Sequence, residues 1–447
     1  MRENQLITRP VPRLLRELAI PAITGILFNT LYNVVDTFYA GLISTQAVAG
    51  LSMSFFLYFA VVGVSFGFGS AITALIGNSL GRKKVFLGTL YAHKGIVFVV
   101  LIGSVLAFFG AWSAPWVLKA VGAEDSYLPL ALEYIRVILY ATPFFTATYA
   151  LNAILVALGD TRSYRNMLIV GFFLNLVLNP LFIYGYGFLP AMGIKGIALS
   201  TALIQAISVI YLGRRVLTEK MLSFCSFKTY LPDWRIYRHI FSQGIPPSMN
   251  MLTMSLGSVI TIYYVATYGY EAVAGYGIAF RVEQIMLLPA LGISSAVLSI
   301  VSNNFGARLH SRVRESVKLA LFYGFGISVL GVILGYTVGE WTVSKFDSNP
   351  IVIMRAMEYL YIEVFAFFGY VTLFVCVSAL QGIKRPKMIL YVGLYRQIIG
   401  KIILFSLIVS WLGLPYVGLW YGLFFIIYSS ALFLGIYTYK ALKPISS

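Results

Sequence analysis

The sequence predicts an all-α polytopic membrane protein with twelve transmembrane helices in two six-helix lobes, which are related by pseudo-two-fold symmetry. Three observations predict this fold. Hydrophobic residues occupy 59% of the 447 positions and charged residues only 11%, whereas about a quarter of the residues in a soluble domain are charged. Basic residues are concentrated in alternate loops between long apolar segments. The two halves of the chain also repeat each other.

Each predicted span is an apolar segment long enough to cross a bilayer, which takes about 20 residues in a helix. No connection between the segments is long enough to form a domain of its own. The predicted spans are 14–42, 47–77, 89–113, 129–157, 165–189, 192–213, 238–267, 272–302, 317–340, 352–381, 387–411 and 414–439.

The basic residues predict the orientation of these spans. One set of loops holds clusters such as Arg82-Lys83-Lys84 and Arg214-Arg215, whereas the intervening loops hold only Lys119, Lys195 and Lys345. Cytoplasmic loops carry the excess of Lys and Arg. We therefore predict a multi-pass protein of the plasma membrane (the bacterial inner membrane) with both termini in the cytoplasm. The net charge of +17 then reflects orientation, and no nucleic acid partner is expected.

An internal repeat divides the chain into two lobes. Ile20-Pro21 recurs as Ile245-Pro246, and Ala47 to Gly50 recurs as Ala272 to Gly275, both 225 positions later. From Ala157 onward the match continues at an offset of 222. We predict an N-lobe at 1–215, a cytoplasmic linker at 216–237 and a C-lobe at 238–447. Six spans separate equivalent helices, so the halves run parallel. Parallel repeats favour a cavity between the lobes and alternating access, as in secondary transporters.

The repeat preserves the scaffold but not its polar residues. It aligns Asp36 with Thr261, Asn175 with Gln397, and Asn179 with Lys401, in that order. The two lobes are therefore expected to have different roles.

Asp36 is the first candidate functional residue, because a carboxylate within a span is costly and usually functional. Burial favours the neutral form of a carboxyl group, so Asp36 could bind and release a proton. The alternative is a hydrogen-bonded Asp that only holds helices together. Pro21, earlier in the same span, removes a helix hydrogen bond and is a candidate hinge, although proline also occurs in membrane helices without a role.

Asn175 and Asn179 are four residues apart in the fifth span and therefore share one helix face. Buried amides need partners, and a carboxylate is a suitable one. The alternative is ordinary polar contact between helices. Weaker candidates for the same cavity are Tyr32, Tyr134, Asn152 and Ser200.

The second half has embedded charges of its own. We predict a structural ion-pair network of Arg281, Glu283, Arg396 and Lys401, with a second coupling site as the alternative. No G-x-x-x-x-G-K-[ST] sequence is present, so ATP is not the expected energy source. Cys225 and Cys376 cannot define a disulfide framework or a zinc site. Neither an enzyme activity nor a resident metal or cofactor is expected.

At these residues the chain resembles the MATE (multidrug and toxic compound extrusion) family. The shared pattern includes the early proline of the first span, Val35-Asp36-Thr37-Phe38, Gly-Asp-Thr-Arg at 159–162, and Asn175 to Pro180. The chain is most similar to the prokaryotic, proton-coupled DinF-type branch. That resemblance implies that Asp36 is the proton-binding residue of an N-lobe cavity, hydrogen-bonded with Tyr32, Asn152, Asn175 and Asn179, and that the first span bends near Pro21.

Two positions depart from the family pattern. Some members carry Asp where Asn179 stands, and the NorM-type branch has a Glu where this chain has Met254. A sodium site in the C-lobe is therefore not expected, while one built on Asp36 and Asn175 stays open.

The predicted function is proton-coupled antiport of small lipophilic or cationic compounds by alternating access, carried out by a monomer in the lipid bilayer. The coupling ion is H⁺, with Na⁺ as the alternative. A lipid-linked oligosaccharide flippase of the same superfamily is a second alternative, because the embedded cations suit an anionic head group. A non-transporting membrane scaffold or receptor is the alternative from another class.

Overall fold

The structure, a computed structural model, describes residues 4–187, 189–219, 221–222 and 231–443. It is 87% helical, and the described residues form no β-strand beyond a single bridge between Tyr186 and Leu189. Among the described residues, eleven helical segments are long and apolar enough to span a membrane, and one bent pair of helices supplies a twelfth span. The predicted all-α fold is confirmed. Cys225 lies outside the described residues.

The helices of the first half follow the predicted spans closely. They are α1 (Gln5–Thr8), α2 (Val11–Ile43), α3 (Thr45–Gly81), α4 (Val85–Ala120), α5 (Leu128–Tyr140), α6 (Thr142–Ala157), α7 (Arg162–Tyr184) and α8 (Ile194–Thr218).

The second half continues with α9 (Trp234–Ala266), α10 (Tyr270–Gly306), α11 (His310–Ser344), α12 (Pro350–Gly382), α13 (Lys387–Leu394), α14 (Gly400–Ser406) and α15 (Val417–Leu442). Two π-helical segments, Tyr395–Ile399 and Leu407–Trp411, follow α13 and α14 and complete the eleventh span.

The repeat is visible in the backbone. The helices α3 and α10 begin and end 225 positions apart, at Thr45 and Tyr270 and at Gly81 and Gly306. The turns that follow them contain Lys83 and Arg308, which have φ angles of 58° and 61°. A left-handed conformation is uncommon for residues other than glycine. Its recurrence at the same offset shows that the same helix-ending turn is used in both halves.

The fourth span is bent, which the sequence did not predict. Its helices α5 and α6 meet at an angle of 47°, and Pro143 stands in the first turn of α6. Proline has no N–H group and its ring opposes a continuous helix. The repeat places Phe368 at the equivalent position, and there α12 runs unbroken from Pro350 to Gly382.

Contacts divide the chain into two compact units, one mainly of Thr24–Met251 and the other of Gln5–Ile23 with Leu252–Ser447. The first unit contains two hydrophobic clusters, and the second contains one large cluster in which α10 packs mainly on α12. The predicted lobes follow the repeat, whereas these units follow contacts. They therefore differ at the beginnings of α2 and α9, each of which packs with residues of the other half of the sequence.

Candidate functional site

The candidate site lies in the first unit, where α2, α7 and α8 meet around Asp36. Its carboxyl group is on α2, and the residue is only 4% exposed. No basic side chain lies within ion-pairing distance of it in the described part of the chain. A buried acid without a cationic partner needs hydrogen-bond donors instead.

Two amides of α7 donate to the same oxygen of Asp36. The Nδ2 atoms of Asn175 and Asn179 lie 2.8 and 2.9 Å from Oδ1. Both asparagines are fully buried, and their i, i+4 spacing places them on one face of α7. Each amide also donates to the oxygen of the other, at 3.4 and 3.3 Å. The structure therefore brings together the three residues that the sequence selected.

The other oxygen of Asp36 is bonded more weakly, by a residue that the sequence analysis missed. Thr201 of α8 donates from its hydroxyl to Oδ2 at 3.4 Å, and it accepts a hydrogen bond of 2.8 Å from the hydroxyl of Tyr32. Tyr32 therefore reaches Asp36 through Thr201. The neighbouring Ser200, which was predicted, is buried with no partner for its hydroxyl among the described residues.

The two remaining cavity candidates are not bonded to Asp36. Tyr134 of α5 is buried within electrostatic range of the carboxyl group, and the half-buried Tyr58 of α3 also lies within that range. Asn152 of α6 makes no hydrogen bond to Asp36 in the described structure, and its Oδ1 atom has no partner there. The hydrogen bond between Asn152 and Asp36 that the resemblance implied is therefore not formed. Instead, the carboxyl group is bonded by the amides of Asn175 and Asn179 and by the hydroxyl group of Thr201.

The Gly-Asp-Thr-Arg sequence holds the beginning of α7, the helix that supplies both amides. Asp160 accepts hydrogen bonds from the backbone N–H of Ser163 at 3.0 Å and from its hydroxyl at 2.5 Å. Arg215 of α8 pairs with Asp160 at 3.4 Å and donates to Ser163 at 3.1 Å. Gly159 provides the turn with a φ of 85°. These contacts join α7 to α8 and support both sides of the Asp36 site.

Pro21 lies inside α2, which is continuous from Val11 to Ile43. It stands close to the boundary between the two contact units, which falls between Ile23 and Thr24. Its role as a hinge stays a prediction.

The predicted charges of the second half form a cluster without ion pairs. Glu283 of α10, Arg396 of the first π segment and Lys401 of α14 are each less than 10% exposed, and Glu363 of α12 is fully buried among them. Arg281, in contrast, is exposed, because residues two apart in a helix point in nearly opposite directions. Including Arg281 in the network was wrong.

The predicted ion pairs are not formed either. No acidic and basic pair of the cluster comes within 4.0 Å in the described chain. Lys401 instead donates to the carbonyl oxygen of Gly257 at 3.0 Å and to the hydroxyl of Thr261 at 2.9 Å. Glu283 accepts a hydrogen bond from Tyr359. Lys401 and Glu283 are therefore hydrogen-bonded to neutral groups rather than to each other, and the cluster is not a conventional ion-pair network.

A family model described as MatE matches residues 21–181 and 246–424, which is well over half of the chain. Three relatives of known description are similar over most of their length. The FAD transporter of Shewanella oneidensis is 23% identical over 397 residues, covering 88% of this chain and 87% of that protein. The probable multidrug resistance protein YoeA of Bacillus subtilis is 27% identical over 336 residues, with coverage of 73% and 71%. The multidrug export protein MepA of Staphylococcus aureus is 22% identical over 364 residues, with coverage of 80% and 79%.

Solved structures share the fold. An outward-facing multidrug resistance MATE family transporter of the MOP superfamily aligns with a TM-score of 0.92 at 20% identity, covering 99% of both chains. A MOP superfamily transporter from Pyrococcus furiosus aligns with a TM-score of 0.91 at 20% identity, covering 99% of this chain and 98% of that one. These likenesses support the twelve-helix, two-lobe architecture.

Proposed function

Because the chain belongs to the MATE family, whose members are transport proteins rather than enzymes, we propose that it exports lipophilic or cationic compounds in exchange for protons. The coupling residue in this proposal is Asp36, and the exchange proceeds by alternating access. The resemblance to the DinF-type branch supports proton coupling. The relatives described as multidrug resistance and multidrug export proteins support the class of cargo.

One observation carries the proposal: the two oxygens of the buried Asp36 carboxyl group are bonded unequally. Oδ1 accepts two amide hydrogen bonds of 2.8 and 2.9 Å, whereas Oδ2 accepts one of 3.4 Å from Thr201. Amide N–H groups cannot accept a proton, so Oδ1 stays an acceptor in either protonation state. Oδ2 is therefore the oxygen that takes the proton or contacts a cationic compound.

Hydroxyl groups let this site accept a proton without moving its helices. When Asp36 is ionised, hydrogen bonds run from Tyr32 to Thr201 and from Thr201 to Oδ2. When Oδ2 is protonated, it donates to Thr201, whose oxygen has a second lone pair while it still accepts from Tyr32. The hydroxyl hydrogen of Thr201 rotates away. Both states keep Asp36 in hydrogen bonds, which limits the penalty for burying it.

Competition for one carboxylate supplies the coupling. The ionised Asp36 attracts a lipophilic cation, and protonation removes that attraction and releases the compound. Exchange of one proton for one monovalent cation moves no net charge, so the membrane potential does not contribute. Each pH unit then supplies about 1.4 kcal/mol, which supports about a tenfold concentration ratio.

Several parts of the proposal extend the family assignment. We propose a bacterial inner-membrane location with both termini in the cytoplasm, on the basis of the loop charges, and a monomeric transporter. Na⁺ is the alternative coupling ion, since Asp36 and Asn175 supply oxygens that a small cation accepts. A lipid flippase is the alternative cargo class, favoured by the buried Arg396 and Lys401.

The test is ethidium efflux from proteoliposomes under a proton gradient or a sodium gradient applied separately. We expect proton-driven efflux by the wild type and its loss in Asp36→Asn. The matched control is Asp125→Asn, which changes a carboxylate that is 92% exposed and should leave efflux unchanged. Efflux driven by sodium alone would show that Na⁺ and not H⁺ is the coupling ion. Undiminished efflux in Asp36→Asn would show that Asp36 is not the coupling residue. Absence of efflux from wild-type protein that moves a fluorescent lipid would favour the flippase.

A further inference from the structure

The two halves of the chain use the same pair of positions with opposite polarity. In the first half, Asn179 donates to Asp36 at 2.9 Å. The repeat places Lys401 and Thr261 at these positions, and Lys401 donates to Thr261 at the same distance of 2.9 Å. The contact between the first and fifth helices of the repeat is thus retained. Its charge changes from a buried carboxylate to a buried ammonium group.

The surroundings of Lys401 have changed with it. Gly257 stands where the repeat places Tyr32, and α9 passes so close to Gln397 that a β-carbon at Gly257 would lie 2.9 Å from the Gln397 backbone oxygen. Glycine permits this close approach, and the Gly257 carbonyl oxygen accepts a hydrogen bond from Lys401 at 3.0 Å. Two of the three ammonium hydrogens are satisfied in this way, so within the described part of the chain one donor is left for a ligand.

Arg396 provides a second, independent observation. Its side chain is 6% exposed, yet among the described residues its guanidinium group makes no hydrogen bond and no ion pair within 4.0 Å. It lies within electrostatic range of Lys401 and Glu283. A guanidinium group has five N–H donors in a planar fork that fits carboxylate and phosphate groups. An arginine buried without any partner inside a membrane protein is therefore a candidate ligand site.

The acidic members of the cluster do not occupy these donors. Glu283 accepts from Tyr359, and neither oxygen of Glu363 has a hydrogen-bond partner in the described structure. The two carboxylates offset the charge of the two cations only from a distance. An anion that contacts both cations directly would gain charge-assisted hydrogen bonds, which are about twice as strong as neutral ones.

We propose that Arg396 and Lys401 form an anion-binding site in the second half of the chain, which takes the phosphate or carboxylate group of a transported compound. The inference rests on the proposed export function and deepens it, because it extends the cargo from cations to compounds that carry an anionic group. The first half binds a proton or a cation at Asp36, and the second half binds an anion at the position related to it by the repeat.

The experiment compares two fluorescent flavins that share one ring system, the neutral riboflavin and its 5′-phosphate. Binding is measured by fluorescence quenching with purified full-length protein in phosphatidylcholine nanodiscs, without any ion gradient. We expect the phosphate to bind about tenfold more tightly than riboflavin to the wild type, because hydrogen bonds to charged groups contribute at least about that factor. Arg396→Gln and Lys401→Gln should each abolish this preference while riboflavin binding stays the same.

Two further variants and one stability measurement separate a binding role from a structural one. Lys387→Gln changes an exposed lysine at the beginning of the same span and should keep the preference. Lys401→Arg keeps the charge and should keep much of it. Arg396→Gln leaves no hydrogen-bond partner behind and should therefore fold, as its melting temperature will show. Equal binding of the two flavins by the wild type, or a preference that survives in both folded Gln variants, would overturn the proposal.

The lipid composition of the nanodiscs identifies the source of the anion. If phosphatidylglycerol weakens binding of the flavin phosphate to the wild type but not to Arg396→Gln, the site also accepts a lipid phosphate, which supports the anion site. Because binding is measured at equilibrium, its outcome is separate from that of proton-driven efflux. A transporter that lacks proton coupling can still show the flavin preference, and the converse also holds.

Discussion

The hydroxyl group of Thr201 lies 3.4 Å from Oδ2 of Asp36 and is the one donor to that oxygen in the described chain. The amides of Asn175 and Asn179 approach the other oxygen to 2.8 and 2.9 Å. The carboxyl group therefore has one well-bonded side and one open side. In the proposed mechanism the open side carries out the exchange, and Thr201 is its only hydrogen-bond donor among the described residues.

Replacing Thr201 by valine should impair coupling without changing the shape of the site. Valine has a similar volume but no hydroxyl group, so ionised Asp36 loses its one donor at Oδ2. At 3.4 Å this bond is long, so we assign it about 1.5 kcal/mol, the lower end of the range for bonds to charged groups. We expect the initial rate of proton-driven ethidium efflux to fall about tenfold, since about 1.4 kcal/mol corresponds to that factor. Thr201→Ser retains the hydroxyl and should keep most of the rate. A valine variant as fast as the wild type would show that the hydroxyl chain from Tyr32 is dispensable.

Replacing Asn179 by aspartate should create a sodium site. The change substitutes an oxygen for the amide nitrogen that lies 2.9 Å from Asp36, and two carboxylates at that distance repel each other unless a proton or cation lies between them. Na⁺ should then raise the melting temperature of the variant but not that of the wild type. The expected stabilisation is about 2.7 kcal/mol at a hundredfold excess over the dissociation constant.

Two controls accompany this variant. Asn179→Leu removes the amide without adding a charge and should not respond to Na⁺, and choline chloride separates sodium binding from ionic strength. If the wild type and Asn179→Asp respond equally to Na⁺, the second carboxylate does not decide ion selectivity.

The fold was predictable to the level of individual spans, but the shape of the fourth span was not. Hydropathy and the repeat identify segments whose ends lie within seven residues of the ends of the helices. Proline within a membrane helix is compatible with either a continuous or a broken helix, so Pro143 alone does not predict the bend of 47° between α5 and α6.

The part of the site that the sequence predicts is the part fixed by the spacing of residues along one helix. The interval of four between Asn175 and Asn179 fixes a shared face, and an acid in a neighbouring span is the natural partner. The choice between the adjacent Ser200 and Thr201 depends on the rotation of α8, which the sequence does not give. The same uncertainty placed the exposed Arg281 in a buried cluster. In both cases the sequence identified the right stretch of helix, but it did not show which side chains of that stretch point towards the site.

Removing the carboxylate of Asp160 should destabilise the first half of the chain. Asp160 bonds both the backbone N–H and the hydroxyl of Ser163, and it pairs with Arg215. We expect Asp160→Ala to lower the free energy of unfolding by about 0.5–2 kcal/mol, the range for the loss of a helix N-cap. The melting temperature in detergent measures this. Asp125→Ala removes a solvent-exposed carboxylate and should change it little, so equal melting temperatures for the two variants would contradict the capping role.

A methyl group at Gly67 should disrupt the contact between α3 and the middle of α9, at Ser248. A β-carbon there would lie 2.7 Å from the Cα atom of Ser248, and a backbone atom cannot move aside as a side chain can. Overpacking of this kind destabilises by about 1–3 kcal/mol, so Gly67→Ala should lower the melting temperature measured by size-exclusion chromatography after heating. Gly213→Ala is the matched control, because its β-carbon would meet no atom within 4 Å and alanine favours a helix by about 0.5–1 kcal/mol. It should melt at the wild-type temperature or above. If Gly67→Ala also melts at the wild-type temperature or above, α3 does not pack closely on α9 at Ser248. The assignment of Trp234–Met251 to the first contact unit is then incorrect.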